Sequence, residues 1–182
     1  MPPSSRSWRQ TCRRLTTVLA TVASLALAGE PARATSAKDV EDLLLLIKKS
    51  GTEIVVVDCK EGLKGTYAFG ENPKIDRLTI CKNNVKLNDP DDVWEVIAHE
   101  ATHIMQACVG DHLFKDEFHP RIVRDLQAKA HHYSVIIEQQ YRGAEMMRES
   151  EAYFMELQTP EDVKEIFIKA CLTPRQPNAA NP

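Results

Sequence analysis

Asp89-Pro90-Asp91-Asp92-Val93-Trp94-Glu95-Val96-Ile97-Ala98-His99-Glu100-Ala101-Thr102-His103 is the stretch on which the reading of this chain turns. Asp89 can cap a helix, Pro90 suits the first helical position, and the acids that follow favour the positive end. Val93, Trp94, Ile97, Ala101, Ile104 and Met105 recur at helical spacing and give one apolar face. The spacing predicts a helix to about Ala107. His99 and His103 fall away from most of that face. Residues four apart share a helix face, so both imidazoles can reach one metal ion, with Glu100 at their flank. Neutral imidazoles suit zinc, zinc acidifies water, and a neighbouring glutamate can take up that proton and pass it to a leaving amine. Glu100 is therefore the candidate general base. Composition alone yields about 0.016 matches to His-Glu-x-x-His in a chain of this make-up, so the match is uncommon by chance. The plainer reading is a helix with two solvated histidines.

Working outward, Lys38 to Lys49 places Val40, Leu43, Leu44 and Ile47 at helical spacing, and Ser50-Gly51 stops that run. Ile54-Val55-Val56-Val57, within Glu53 to Cys59, reads as a buried strand. Thr66-Tyr67-Ala68-Phe69, within Gly62 to Gly70, reads as a second strand between turns. Ile75 to Cys81, after Asn72-Pro73, reads as a third. Beyond the motif helix, Gly110 to Pro120 is a polar connector. Helices are expected at Arg121 to about Gln140, at about Gly143 to Leu157, and from Thr159-Pro160 to Cys171. The expectation is an α+β fold: a small, mostly antiparallel sheet, then the motif helix, then a helical C-terminal part. This single domain should span residues 35–172, with 173–182 a disordered tail.

Residues 1–34 are expected to stand outside the domain. Arg6, Arg9, Arg13 and Arg14 precede 15 uncharged, mostly apolar residues, Leu15 to Gly29. Ala32-Arg33-Ala34 then offers an Ala-x-Ala cleavage site, with Ala37 as a second option. This is a secretory signal pattern, an uncleaved amphipathic anchor being the alternative. The residues around Arg13-Arg14 match a twin-arginine signal poorly. No uncharged apolar run reaches the roughly 18–20 residues of a spanning helix. Cleavage after Ala34 removes five arginines and one glutamate, which takes the formal charge from −3 to −7 over 148 residues. So acidic a chain argues against a nucleic-acid partner. A monomer without membrane contact, periplasmic or secreted, is expected.

Four cysteines remain, Cys59, Cys81, Cys108 and Cys171, an even count that suits two disulfides in an exported protein. Cys59 and Cys81 both end apolar strand-like runs. That favours Cys59–Cys81 and leaves Cys108–Cys171, with free buried thiols as the alternative. No Cys-x-x-Cys pair supports a cysteine zinc cluster.

Catalytic zinc needs a third protein ligand and one open position. A later helix should supply it, and Arg148-Glu149-Ser150-Glu151-Ala152-Tyr153-Phe154-Met155-Glu156 is the best stretch. From Asp89 to Leu157 the chain resembles the gluzincin metallopeptidases. Their second motif reads Glu-x-x-Ala-(Asn/Asp) or Glu-x-x-x-Asp, and its first glutamate is the ligand. The resemblance implies Glu149 as that ligand and Ala152 at the small position. Tyr153 departs from the family's Asp or Asn, which orients a ligand histidine; Glu145, Glu151 or Glu156 could do that work here. Glu151 is the second choice as ligand. The resemblance also implies a minimal zincin-like fold, in which the strand just before the motif helix, here Ile75 to Cys81, pairs with an extended substrate. No Gly-x-x-His follows His103, so the metzincin pattern is absent.

An oxyanion donor is also needed. Tyr141, Tyr153, His112, His119, His131 and His132 are available. His131 and His132 lie mid-helix, where packing or exposure is the plainer reading. His112 and His119 could rim or cover a cleft, and Tyr67 reads as packing. The expected function is that of an exported zinc metallopeptidase. His99, His103 and Glu149 would hold Zn2+, Glu100 would be the base, and a peptide or protein the substrate. A zinc-binding or peptide-binding module without turnover is the alternative. Small size favours it and the intact Glu100 speaks against it. A di-iron reading of Glu100-Ala101-Thr102-His103 needs a second Glu-x-x-His, which the chain lacks.

Overall fold

A computed structural model of the protein describes residues 34–71 and 74–174. The expected signal sequence up to Arg33 and the expected tail from residue 175 lie outside the described residues. Helix α1 (Ala37–Lys49) begins where Ser36 and Asp39 satisfy each other's backbone N–H in a capping box. Strands β1 (Glu53–Val57), β2 (Gly65–Glu71) and β3 (Lys74–Cys81) form one sheet in the order β1-β3-β2. β1 runs parallel to β3, and β2 runs antiparallel to it. The class is α+β as expected, but the sheet is mixed rather than mostly antiparallel. Nor is β1 a buried strand: Val56 and Val57 are 49% and 42% exposed. It is an edge strand, and a β-branched run marks strand propensity without fixing how many faces are covered.

Helix α2 (Pro90–Val109) is capped by the Asp89 side chain and stops at Gly110, whose φ of 78° only glycine adopts without strain. Four helices follow: α3 (His119–Lys129), α4 (His131–Gln140), α5 (Gly143–Glu156) and α6 (Pro160–Phe167), with a π-helical turn at Ile168–Leu172. α2 is the axle of the core. Its Ile97, Ala101, Ile104 and Met105 are almost wholly inaccessible and cluster with Leu43 and Ile47 of α1, Leu78 and Ile80 of β3, Met155 of α5 and Phe167 of α6. A second, smaller cluster joins Ile122 and Leu126 to Ile137.

That smaller cluster explains a departure from expectation. The single helix expected from Arg121 to Gln140 is two helices, broken at Ala130, where φ is −147° and ψ 60°. On one straight helix Ile122 and Ile137 would stand about 22 Å apart at 1.5 Å per residue. Breaking the helix lets them share one core, and burial outweighs the lost helical hydrogen bonds.

Both expected disulfides are present. Cys59–Cys81 ties the segment after β1 to the end of β3, and Cys108–Cys171 ties the last turn of α2 to the π-helical turn. Among the described residues no helix is long and apolar enough to cross a membrane.

Candidate metal centre

His99 and His103 stand one turn apart on α2 and point toward α5, the helix that α2 packs against most. α5 brings Glu149 opposite them. One Glu149 oxygen is 3.4 Å from His99 Nε2 and the other is 3.4 Å from His103 Nε2. One donor atom from each of the three residues lies within 4.8 Å of the others. Ligand atoms about 2.0–2.1 Å from a tetrahedral zinc would stand about 3.3–3.4 Å apart. The three residues can therefore hold a metal ion, and two imidazoles with one carboxylate suit zinc better than calcium or magnesium.

The other imidazole nitrogens are also engaged. His99 Nδ1 donates to Glu156 Oε1 at 2.7 Å, and His103 Nδ1 donates to Gln106 Oε1 at 2.9 Å. Both bonds leave Nε2 as the atom facing Glu149, the tautomer a ligand needs. Burial disfavours a charged His99, but the hydrogen bonds to Glu149 and Glu156 outweigh it and push the imidazole up to about 10. A proton on His99 Nε2 thus stands where a cation could replace it. His103 shifts the other way, downward, chiefly through burial and then repulsion from His99. Burial opposes ionisation of Glu149, yet the His99 hydrogen bond and the two imidazole charges carry it below the usual carboxylate range.

Glu100 lies beside this triangle. Burial pushes its carboxyl up to about 7, with His99 pulling against that rise and Glu149 adding to it. The backbone of Tyr67 on β2 lowers it in turn. β2 comes this close because residue 65 is glycine: a Cβ there would sit 2.5 Å from Val96 Cγ1 and 3.3 Å from Glu100 Cγ. Both helices and β2 wall an open cleft of about 910 Å³ that contains His99, Glu100, His103 and Glu149. The strand along the cleft is thus β2, whose Gly65, Thr66, Tyr67 and Phe69 line it together with the preceding residues 62–64. β3 was the strand expected to receive an extended substrate, but it is the central strand with both edges already paired.

A family model described as a domain of unknown function, DUF8637, matches residues 34–172. The chain belongs to this family. No curated protein and no solved structure matches it.

In this DUF8637 chain the remaining candidates divide cleanly. Tyr141, Tyr153 and Glu145 line the cleft; His112, His119, His131 and His132 do not. The connector histidines are thus neither rim nor lid. Glu151 is not in the His99 cluster: it is wholly buried and accepts from Gln106, Leu113, Phe114 and His119. Tyr153, at the position that departs from the gluzincin pattern, lays its ring edge-on to His99 at 4.7 Å. The orienting carboxylate is Glu156, two turns beyond Glu149 and so on the same face of α5. Gln106 was not singled out from sequence, although it sits one turn after His103. Its amide also donates to the Arg148 carbonyl, so it locks α2 to α5. Glu156→Ala is expected to weaken zinc binding about 10–100-fold, because His99 loses the acceptor that fixes its tautomer. Competition against a chromophoric chelator measures this.

Proposed function

We propose that this chain is an exported zinc metallopeptidase, with His99, His103 and Glu149 as ligands and Glu100 as general base. The observation that carries the reading is the Glu149 carboxylate, equidistant at 3.4 Å from both Nε2 atoms, with Glu100 next to it in an open cleft. Zinc, when bound, would acidify water and polarise a carbonyl. Glu100 would accept a proton from water and return it to the leaving amine. Tyr141, on the cleft wall, offers a hydroxyl to the developing oxyanion. The edge of β2 not paired with β3 suits an extended peptide laid along the cleft, backbone to backbone. Two disulfides fit an oxidising compartment and agree with the arginine-rich, then apolar, N-terminus.

The signal-cleaved protein is expected to cut members of a peptide library when loaded with one zinc at this centre. Chelation should abolish cutting and added zinc should restore it. A zinc-loaded protein that leaves every peptide intact while binding some of them would make it a capture module instead.

A further inference from the structure

A second group of ligand-type side chains lies away from the cleft and shares no residue with the first. His112 in the connector, His119 at the start of α3 and Glu151 on α5 each bring one donor atom within 4.8 Å of the others. His119 Nε2 is 3.0 Å from Glu151 Oε1, and the two imidazole rings meet edge to face with centroids 5.3 Å apart. Glu151 is wholly inaccessible and His119 nearly so. Nδ1 of His112 and Nδ1 of His119 are buried without a hydrogen-bond partner. Buried polar atoms are almost always satisfied, so an orphan His112 nitrogen on a ring grouped with His119 and a buried carboxylate calls for an explanation.

We propose that His112, His119 and Glu151 form a second divalent-metal site, for zinc or a chemically similar ion, that pins the α2–α3 connector onto α5. Two imidazoles and a carboxylate are a nitrogen–oxygen set, which excludes the all-oxygen preference of calcium and magnesium. The hydrogen bond between His119 Nε2 and Glu151 Oε1 marks the line along which a cation would replace a proton. Glu151 would keep its bonds from the Leu113 and Phe114 backbone N–H groups and from Gln106, the kind of outer support that orients a ligand carboxylate. The exposed Asp116 carboxylate, 4.0 Å from His119 Nδ1, lies beyond hydrogen-bond reach of that nitrogen. The connector itself holds only one short 3-10 turn, Asp116–Phe118, so a clip across it constrains the segment with least structure of its own.

The test is zinc stoichiometry by elemental mass spectrometry on the disulfide-bonded, signal-cleaved protein, reconstituted with zinc and desalted. The expected values are two equivalents in the unaltered chain and one in His99→Ala/His103→Ala. His112→Ala/His119→Gln should also retain one, and the fourfold variant none. Glu151 is left in place because the fold depends on it. The single variant His112→Ala removes a half-buried ring whose Nδ1 has no partner, and in the His99→Ala/His103→Ala background it should weaken zinc binding at least tenfold. Cobalt loaded into that background should show the visible absorption of a tetrahedral nitrogen–oxygen site. A folded His99→Ala/His103→Ala protein without zinc would overturn the proposal. So would one equivalent retained by the fourfold variant, which would mark surface binding. The proposal is independent of proteolysis: zinc kept in His99→Ala/His103→Ala alongside an inert unaltered chain would uphold this site and sink the peptidase reading.

Discussion

Glu100→Gln is expected to lower kcat/KM for peptide hydrolysis about 10²–10⁴-fold while leaving zinc content at the first centre unchanged. That loss corresponds to about 2.7–5.5 kcal/mol of transition-state stabilisation. The substitution keeps the shape of the side chain, which matters where Gly65 and Val96 leave no spare room. It removes the carboxylate, the group that can accept a proton. Glu100 makes no contact with the His99 or His103 nitrogens that the hydrogen-bond network shows, so the ligands and their partners Glu156 and Gln106 stay as they are. Burial already disfavours the ionised form of Glu100, so a neutral amide of the same size should cost little stability. Zinc content, thermal midpoint and hydrolysis rate, measured together, separate the outcomes. Unchanged hydrolysis would remove Glu100 from the mechanism, and lost zinc would mean that it supports the ligands instead.

Much of this arrangement was legible because it is local. The Asp89 cap, Pro90 at the helix start and the apolar face from Val93 to Met105 define α2 from sequence alone, and helical spacing puts His99 and His103 side by side. Where the strand-like runs end favoured Cys59–Cys81 among the three possible connectivities without choosing it, and the structure has that pairing. What could not be read was the partner of each group across the fold. Eight Asp and Glu residues lie from Asp116 to Glu156, at Asp116, Glu117, Asp125, Glu138, Glu145, Glu149, Glu151 and Glu156, and sequence does not show which face α5 turns to α2. Helical phase then assigns two different roles: Glu149 and Glu156 share the face toward the histidines, while Glu151, about 200° round from Glu149, turns to the connector. Strand order was equally hidden. β3 precedes α2 in the chain, but β2, one strand earlier, is the one that reaches the cleft, because the parallel β1 occupies the far edge of β3. The break at Ala130 was invisible for a related reason: it goes with the packing of Ile122 and Leu126 with Ile137 in one cluster, not with any local helix breaker.

Glu151→Ala is expected to destabilise the fold by about 3–5 kcal/mol, measured by urea unfolding with a chelator present so that no metal contributes. Glu151 is wholly inaccessible, and each of its oxygens accepts two hydrogen bonds. Two come from the backbone N–H groups of Leu113 and Phe114 at 2.8 Å and 2.9 Å, one from Gln106 and one from His119. Truncation leaves all four donors facing an apolar void, and each stranded donor costs about 1–3 kcal/mol before relaxation lets water in. The connector would lose its anchor, and Gln106 would lose one of the bonds that hold it against His103. A domain of this size has about 5–15 kcal/mol in reserve, so the variant should unfold at markedly lower urea with a similar slope. Glu145→Ala, an exposed neighbour on the same helix, should shift stability by no more than about 0.5 kcal/mol. The chelator makes the comparison decisive. If Glu151 mattered only as a metal ligand, the unaltered and Glu151→Ala chains would unfold at the same urea concentration once metal is removed. A persistent difference would establish the carboxylate as a structural hub in its own right, on which any metal at His112 and His119 builds.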